Sequence, residues 1–301
     1  MTRPVTVGVD GSPESLSAAE WGAREASRRG APLRLVHAWE WEPFSAPFDL
    51  PTGLDQDALA RQAHRTLAAV DETVAGRHPE LAVSHEILSR PAVEALVAEA
   101  DSAELLVLGS RGYGPVSGFL LGSVGQQVIA EARRPVVAVR PAVPSGDTAA
   151  EEAAGVPGGE IVVGQHGTGE DTDPVLAFAF EQAAGRGVGV RAVRAWNLPP
   201  LYAYNPSSLF LADEAGVLAP LERKRLGEAL APWRAKYPEV PVTEQVELGS
   251  AAEVLLSASG RAQLVVVGRR ARRGALGSRI GSVTHATLHH VPCPVAVVPH
   301  S

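Results

Sequence analysis

The chain has a single cysteine, Cys293, in 301 residues. That excludes an internal disulfide and leaves no thiolate cluster for a structural metal. Positive charge is not in excess either: the formal net charge is -7 and the pI about 5.7. No long-range field then attracts a nucleic-acid backbone or an anionic membrane surface, so neither partner is expected. The start, MTRPVTVGVDGS, shows no charged leader followed by an apolar run, and no stretch reads as a membrane span. The expected location is cytoplasmic. With 45% hydrophobic and 20% charged residues, the composition is that of an ordinary globular protein.

What is present is a repeat. Val5 to Ser12, VTVGVDGS, returns as IVVGQHGT from Ile161 to Thr168. Leu33 to Trp39, LRLVHAW, returns as VRAVRAW from Val190 to Trp196, and Ala103 to Val139 returns as Ala262 to Val298. Three blocks in one order at nearly constant offsets identify a duplication. Between the copies lies a stretch rich in Ala, Gly and Pro with few large apolar residues, which gives little burial in return for ordering. The expected division is a domain over 1–141, a linker over 142–157 and a second domain over 158–301.

Within one copy, short β-branched runs alternate with helical patterns. Val5 to Val9 reads as a strand buried on both faces, and Gly11, Ser12 and Pro13 end it and open a helix. Further strands are expected at Leu33–Ala38, Leu81–Leu88, Leu105–Leu108 and Val136–Val139. Helices are expected at Ser15–Arg28, through Leu59, Ala63, Leu67, Val70 and Val74, at Ala92–Ala100 and at Ser123–Ala132. Such alternation predicts a parallel sheet covered on both faces, with ligands at the carboxyl ends of its strands.

Gly109, Gly112, Gly118 and Gly122 lie between the fourth strand and a helix that starts near Ser123. Glycines let backbone approach a ligand, and a helix start offers amide hydrogens to an anion such as phosphate. Ser123 either caps its helix or donates to phosphate, and Arg111 adds charge-assisted bonds if it points inward. The loop is neither a Walker motif, which needs GKS or GKT, nor a dinucleotide fingerprint, which follows the first strand. Asp10 ends the first strand, where its carboxylate either meets ribose hydroxyls or a divalent cation, or caps the next helix.

These residues resemble the universal stress protein family, in its tandem two-domain form. Its ATP-binding signature is Gly, two residues, Gly, nine residues, Gly and Ser or Thr, matched by Gly109, Gly112, Gly122 and Ser123. The opening VGVDGS and the closing GSV before a proline and an apolar strand are similar too. The resemblance implies two Rossmann-like α/β domains, each a five-stranded parallel sheet in the order 3-2-1-4-5 with helices on both faces. It implies ATP, with or without Mg2+, as cofactor, a homodimer, and a role in stress or growth control. Gly8, Val9 and Asp10 would flank the nucleoside and the Ala38 backbone would meet the adenine. Leu108, Gly109, Arg111, Gly112, Gly122, Ser123 and Val124 would surround ribose and phosphates. By position the second copy offers Gly164, His166, Ala195, Val267, Gly268, Arg270, Gly281, Ser282, Val283 and Thr284. It departs from the pattern at Ala271, where the middle glycine belongs, and at His166, opposite Asp10. Gly125 replaces a common hydroxyl residue, which Thr284 restores in the second copy. The arginines at 269, 270, 272 and 273 form either a cationic phosphate site or a solvated turn.

Catalytic signals are few. His37 and His85 have no adjacent acid or nucleophile pattern, and His289, His290 and Cys293 need a distant further ligand to hold a metal. ATP hydrolysis is expected to be slow at most. The alternatives are an adenylating or ATP-hydrolysing enzyme of related fold, which would need an SGG-type first loop in place of DGSP, and a flavoprotein or an interaction scaffold. The loops Trp41–Gly53 and Trp196–Gly216 are expected to cover the nucleotide. The flavin alternative predicts visible absorbance in the purified protein. We expect none, with adenine nucleotide released on denaturation; a flavin spectrum would reverse the assignment.

Overall fold

The computed structural model describes residues 2–39, 56–112, 119–141, 159–167, 173–197, 216, 218–271 and 280–301, with only the backbone at 56–60, 111–112 and 119–120. Two compact units divide at Val143 and Pro144. The expected linker over 142–157 lies outside the described residues, as do most of the two covering loops.

In the first unit, β1 (Val5–Gly8) leads to α1 (Pro13–Arg29), β2 (Leu33–Ala38), α2 (Gln56–Arg77), β3 (Val83–Leu88) and α3 (Ala92–Ser102). Then come β4 (Leu105–Gly109), the two-residue strands β5 (Arg111–Gly112) and β6 (Phe119–Leu120), α4 (Ser123–Glu131) and β7 (Val136–Val139). The pairings β3–β2, β2–β1, β1–β4 and β4–β7 are all parallel, so the order runs 3-2-1-4 and then the fifth long strand. Helices α1 and α2 pack together on one face, and α3 and α4 on the other. The apolar runs of β1, β4 and β7 are buried because both faces are covered. β3 keeps Ser84, His85 and Glu86 exposed, in keeping with an outer position beside β2.

The second unit repeats this plan. Its elements are β8 (Glu160–Gly164), α5 (Asp173–Arg186), β9 (Val190–Trp196), α6 (Leu218–Lys236), β10 (Val242–Leu248) and α7 (Ala251–Ala258), then β11 (Ala262–Arg270), α8 (Ser282–His290) and β12 (Val295–His300). The parallel order is β10-β9-β8-β11-β12. Gly11 and Gly167 turn the chain after the first strand of each unit at φ 82 and 86, a region that L side chains rarely adopt. The chain thus consists of two tandem Rossmann-like domains.

Helix α1 starts at Pro13, with Ser12 as its N-cap: Ser12 Oγ accepts from Ser15 N. Asp10 does not cap the helix directly. Its Oδ1 accepts from Ser12 N at 3.0 Å and from Ser12 Oγ at 2.5 Å, so it orients the residue that does. The end of β4 meets this turn closely, and a Cβ on Gly109 would lie 2.6 Å from the Glu14 carbonyl carbon. Backbone on both sides cannot yield cheaply. Gly109→Ala is therefore expected to lower the unfolding free energy by about 1–3 kcal/mol in urea titration, and a loss indistinguishable from zero would contradict this contact.

Candidate functional site

In each sheet the order reverses between the first and fourth strands, and a crevice opens there at their carboxyl ends. In the first unit it is a cavity of about 470 Å³ lined by Gly8, Val9, Asp10, Ala38, Leu108, Gly109, Gly122, Ser123 and Val124. Val36, Leu96 and Leu108 give it an apolar wall, and Ser12, Glu14 and Gly125 border it. Arg111 and Gly112, described in backbone only, form β5, paired antiparallel with β6.

Two helix starts open onto the cavity, α3 at Ala92 and α4 at Gly122 to Val124. Neither has a side-chain cap hydrogen bond. Gly122, not Ser123, holds the N-cap position of α4, which corrects the reading of Ser123 as a cap. Ser123 is exposed in the cavity instead. The backbone of Gly122 is ordinary, at φ -58 and ψ 162, and a Cβ there would meet nothing within 4 Å. Neither strain nor packing among the described residues calls for glycine at this point.

The second unit has a cavity of about 580 Å³. Gly164, His166, Ala195, Val267, Gly268, Arg270, Gly281, Ser282, Val283 and Thr284 all line it, with Val193 and Leu255 as the apolar wall. Again two helix starts converge, α7 at Ala251 and α8 at Gly281, without side-chain caps. Gly281 has φ -64 and ψ 155, and no atom of the described residues lies within 4 Å of its would-be Cβ.

The copies differ in three ways that sequence alone leaves open. Thr284 is buried and donates to the Gly268 carbonyl at 3.0 Å, so its hydroxyl hydrogen tethers the end of β11 and is committed there. Its counterpart is glycine because a Cβ on Gly125 would stand 2.8 Å from Cδ1 of the buried Leu121. Ala271 follows a strand longer than β4: β11 stays paired with β12 out to Arg270 and His300, and Ala271 N donates to the His300 carbonyl at 2.7 Å. Its methyl is outside the cavity lining. Within that extension Arg269 is buried and lines the cavity, and desolvation pulls its pKa below the ordinary value. Residues 272 and 273 lie outside the described residues.

The universal stress protein family pattern matches residues 1–140 and 159–299. The chain belongs to the universal stress protein family. A universal stress protein of Mycobacterium tuberculosis strain H37Rv is 33% identical over 302 residues, spanning 99% of this chain and 97% of its own length. One of Mycolicibacterium smegmatis is 33% identical over 306 residues, spanning 98% and 96%. The crystal structure of a universal stress protein from Archaeoglobus fulgidus shares the fold at a TM-score of 0.67 and 14% identity, over 99% of this chain and 98% of that one.

One group beside the second cavity of this universal stress protein carries no sequence signal. Arg194, buried at the end of β9, donates from Nη1 to Gln165 Oε1 at 2.5 Å and to the Gly167 carbonyl at 2.9 Å, and from Nε to Glu222 of α6 at 2.6 Å. His37, its counterpart, donates from Nδ1 to the Val9 carbonyl at 2.6 Å. In both units, then, the second strand pins the turn after the first. Only the repeat alignment, pairing His37 with Arg194, hinted at a shared role. Burial raises the Glu222 carboxyl, but hydrogen bonds and charge from Arg194 and Arg225 outweigh it and hold the group below its ordinary range. Folded Glu222 thus binds protons less readily than unfolded Glu222, so its contribution is present above the ordinary glutamate range and lost as pH falls below it. Arg194→Met should cost about 1.5–3 kcal/mol and flatten the acid side of the pH–stability curve from urea unfolding. An unchanged slope would show that the pair does not set Glu222.

Proposed function

We propose that the protein is a nucleotide-dependent stress or growth regulator whose two units each bind an adenine nucleotide, ATP. The observation that carries this reading is the pair Gly122 and Gly281. Each has an ordinary backbone conformation with no described atom where a side chain would stand, at an uncapped helix start facing a cavity. A Cβ there would fill room that a phosphate needs, while the first amides of the helix remain to receive it. The cavity volumes suit a small molecule with apolar and polar ends.

In the first unit Val36, Ala38 and Leu96 supply an apolar face for adenine, and Asp10, exposed at the first turn, meets either a ribose hydroxyl or a cation held by the phosphates. Ser123 and the α4 start meet the phosphates. In the second, Val193, Ala195 and Leu255 take the adenine end, and Ser282 with Arg270 the phosphates. Fast phosphoryl transfer also needs an oriented attacking group. The carboxylate nearest that task, Asp10, already accepts two bonds from Ser12. That engagement supports a binding switch with slow hydrolysis at most.

Calorimetric titration with ATP and magnesium tests the reading. The wild type should bind two equivalents per chain, and Gly122→Val and Gly281→Val one each. Loss of the glycine N-cap should cost either variant no more than about 1 kcal/mol of stability, so both remain folded. Identical heats from all three proteins would refute the assignment.

A further inference from the structure

Resting on that nucleotide reading, the two cavities differ in a property the family motif does not encode, the charge of their walls. Among the described lining residues of the first, the ionisable groups are Asp10 and Glu14, both acidic. In the second they are His166, Arg269, Arg270 and His300, and none is acidic. Some counterparts lie outside the comparison: Arg111 is described in backbone only, and Glu170, opposite Glu14, is outside the described residues. Two positions described in both units carry the contrast. Asp10 stands opposite His166, both exposed at the first turn, and Ser110 stands opposite Arg269, both buried, the one just after β4 and the other within β11.

A triphosphate brought beside a carboxylate is repelled unless a cation lies between them. Magnesium does this by taking one or two carboxylates together with phosphate oxygens. Arginine satisfies phosphate directly, through bidentate charge-assisted bonds. Arg269 stands in the wall within the extended part of β11.

We propose that the two cavities differ in their need for a divalent cation: the first takes a nucleoside triphosphate only as its divalent-cation complex, and the second takes it with or without the cation, its wall being cationic at Arg269 and Arg270. Asp10 and His166 are the residues that set the difference.

The full chain carrying Gly281→Val, which leaves the first cavity open, and the chain carrying Gly122→Val, which leaves the second, are titrated calorimetrically with ATP in magnesium and in EDTA at matched ionic strength. Removing magnesium should weaken the first protein about tenfold or more and change the second by less than about threefold. His166→Asp in the Gly122→Val background should bring magnesium dependence to the second cavity. Equal dependence in both single-site proteins overturns the proposal and leaves nucleotide binding standing. No ATP heat from either under any condition, with thermal melts like the wild type, overturns the nucleotide reading and the proposal together. The unsubstituted chain gives a check that does not depend on variants: two equivalents in magnesium and one retained in EDTA, whereas loss or retention of both overturns the proposal.

Discussion

Strand order is the constraint from which the site follows. Because β4 is added beside β1 on the side away from β2, the helices on either flank of that junction belong to opposite faces of the sheet. No helix can then cover the carboxyl ends of β1 and β4, and the starts of α3 and α4 are left directed at the opening. The second unit meets the same condition at β8 and β11, with α7 and α8. A crevice rimmed by backbone amides is thus a property of the topology before any particular side chain is chosen.

Side chains then decide how each crevice differs. Leu121 is buried against Gly125 in the first unit, whereas in the second Ile280 is partly exposed and Thr284 is buried. Volume has moved from one position to another within the same turn, and the hydroxyl that came with it closes onto Gly268. The fourth strand ends at Gly109 in one copy and at Arg270 in the other, and the buried serine that follows it in the first copy is matched by a buried arginine within it in the second. Duplication has kept the backbone frame and changed the electrostatics of what it encloses.

Most of the frame was legible because it depends on local pattern. β-branched runs, helical spacing and turn residues placed the long strands of the first copy, and the repeat carried the same plan to the second. Glycines show where such reading stops. Gly109 and Gly122 look alike in a motif, yet one is required by the backbone of Glu14 and the other by nothing among the described residues. Telling them apart needs atoms from a segment some hundred residues away. Asp10 was read as either a cap or a ligand contact, and the structure gives the cap to Ser12. Arg194 was invisible as a site residue, since its partners Gln165 and Glu222 come from two distant elements and no spacing links them.

A crystal structure of the chain grown with ATP addresses the central claim most directly. The account predicts nucleotide in both crevices, with phosphate oxygens within about 3 Å of the backbone amides that begin α4 and α8, occupying the space left beside Gly122 and Gly281. Nucleotide bound elsewhere, or crevices filled by the chain's own side chains at saturating ATP, would contradict it.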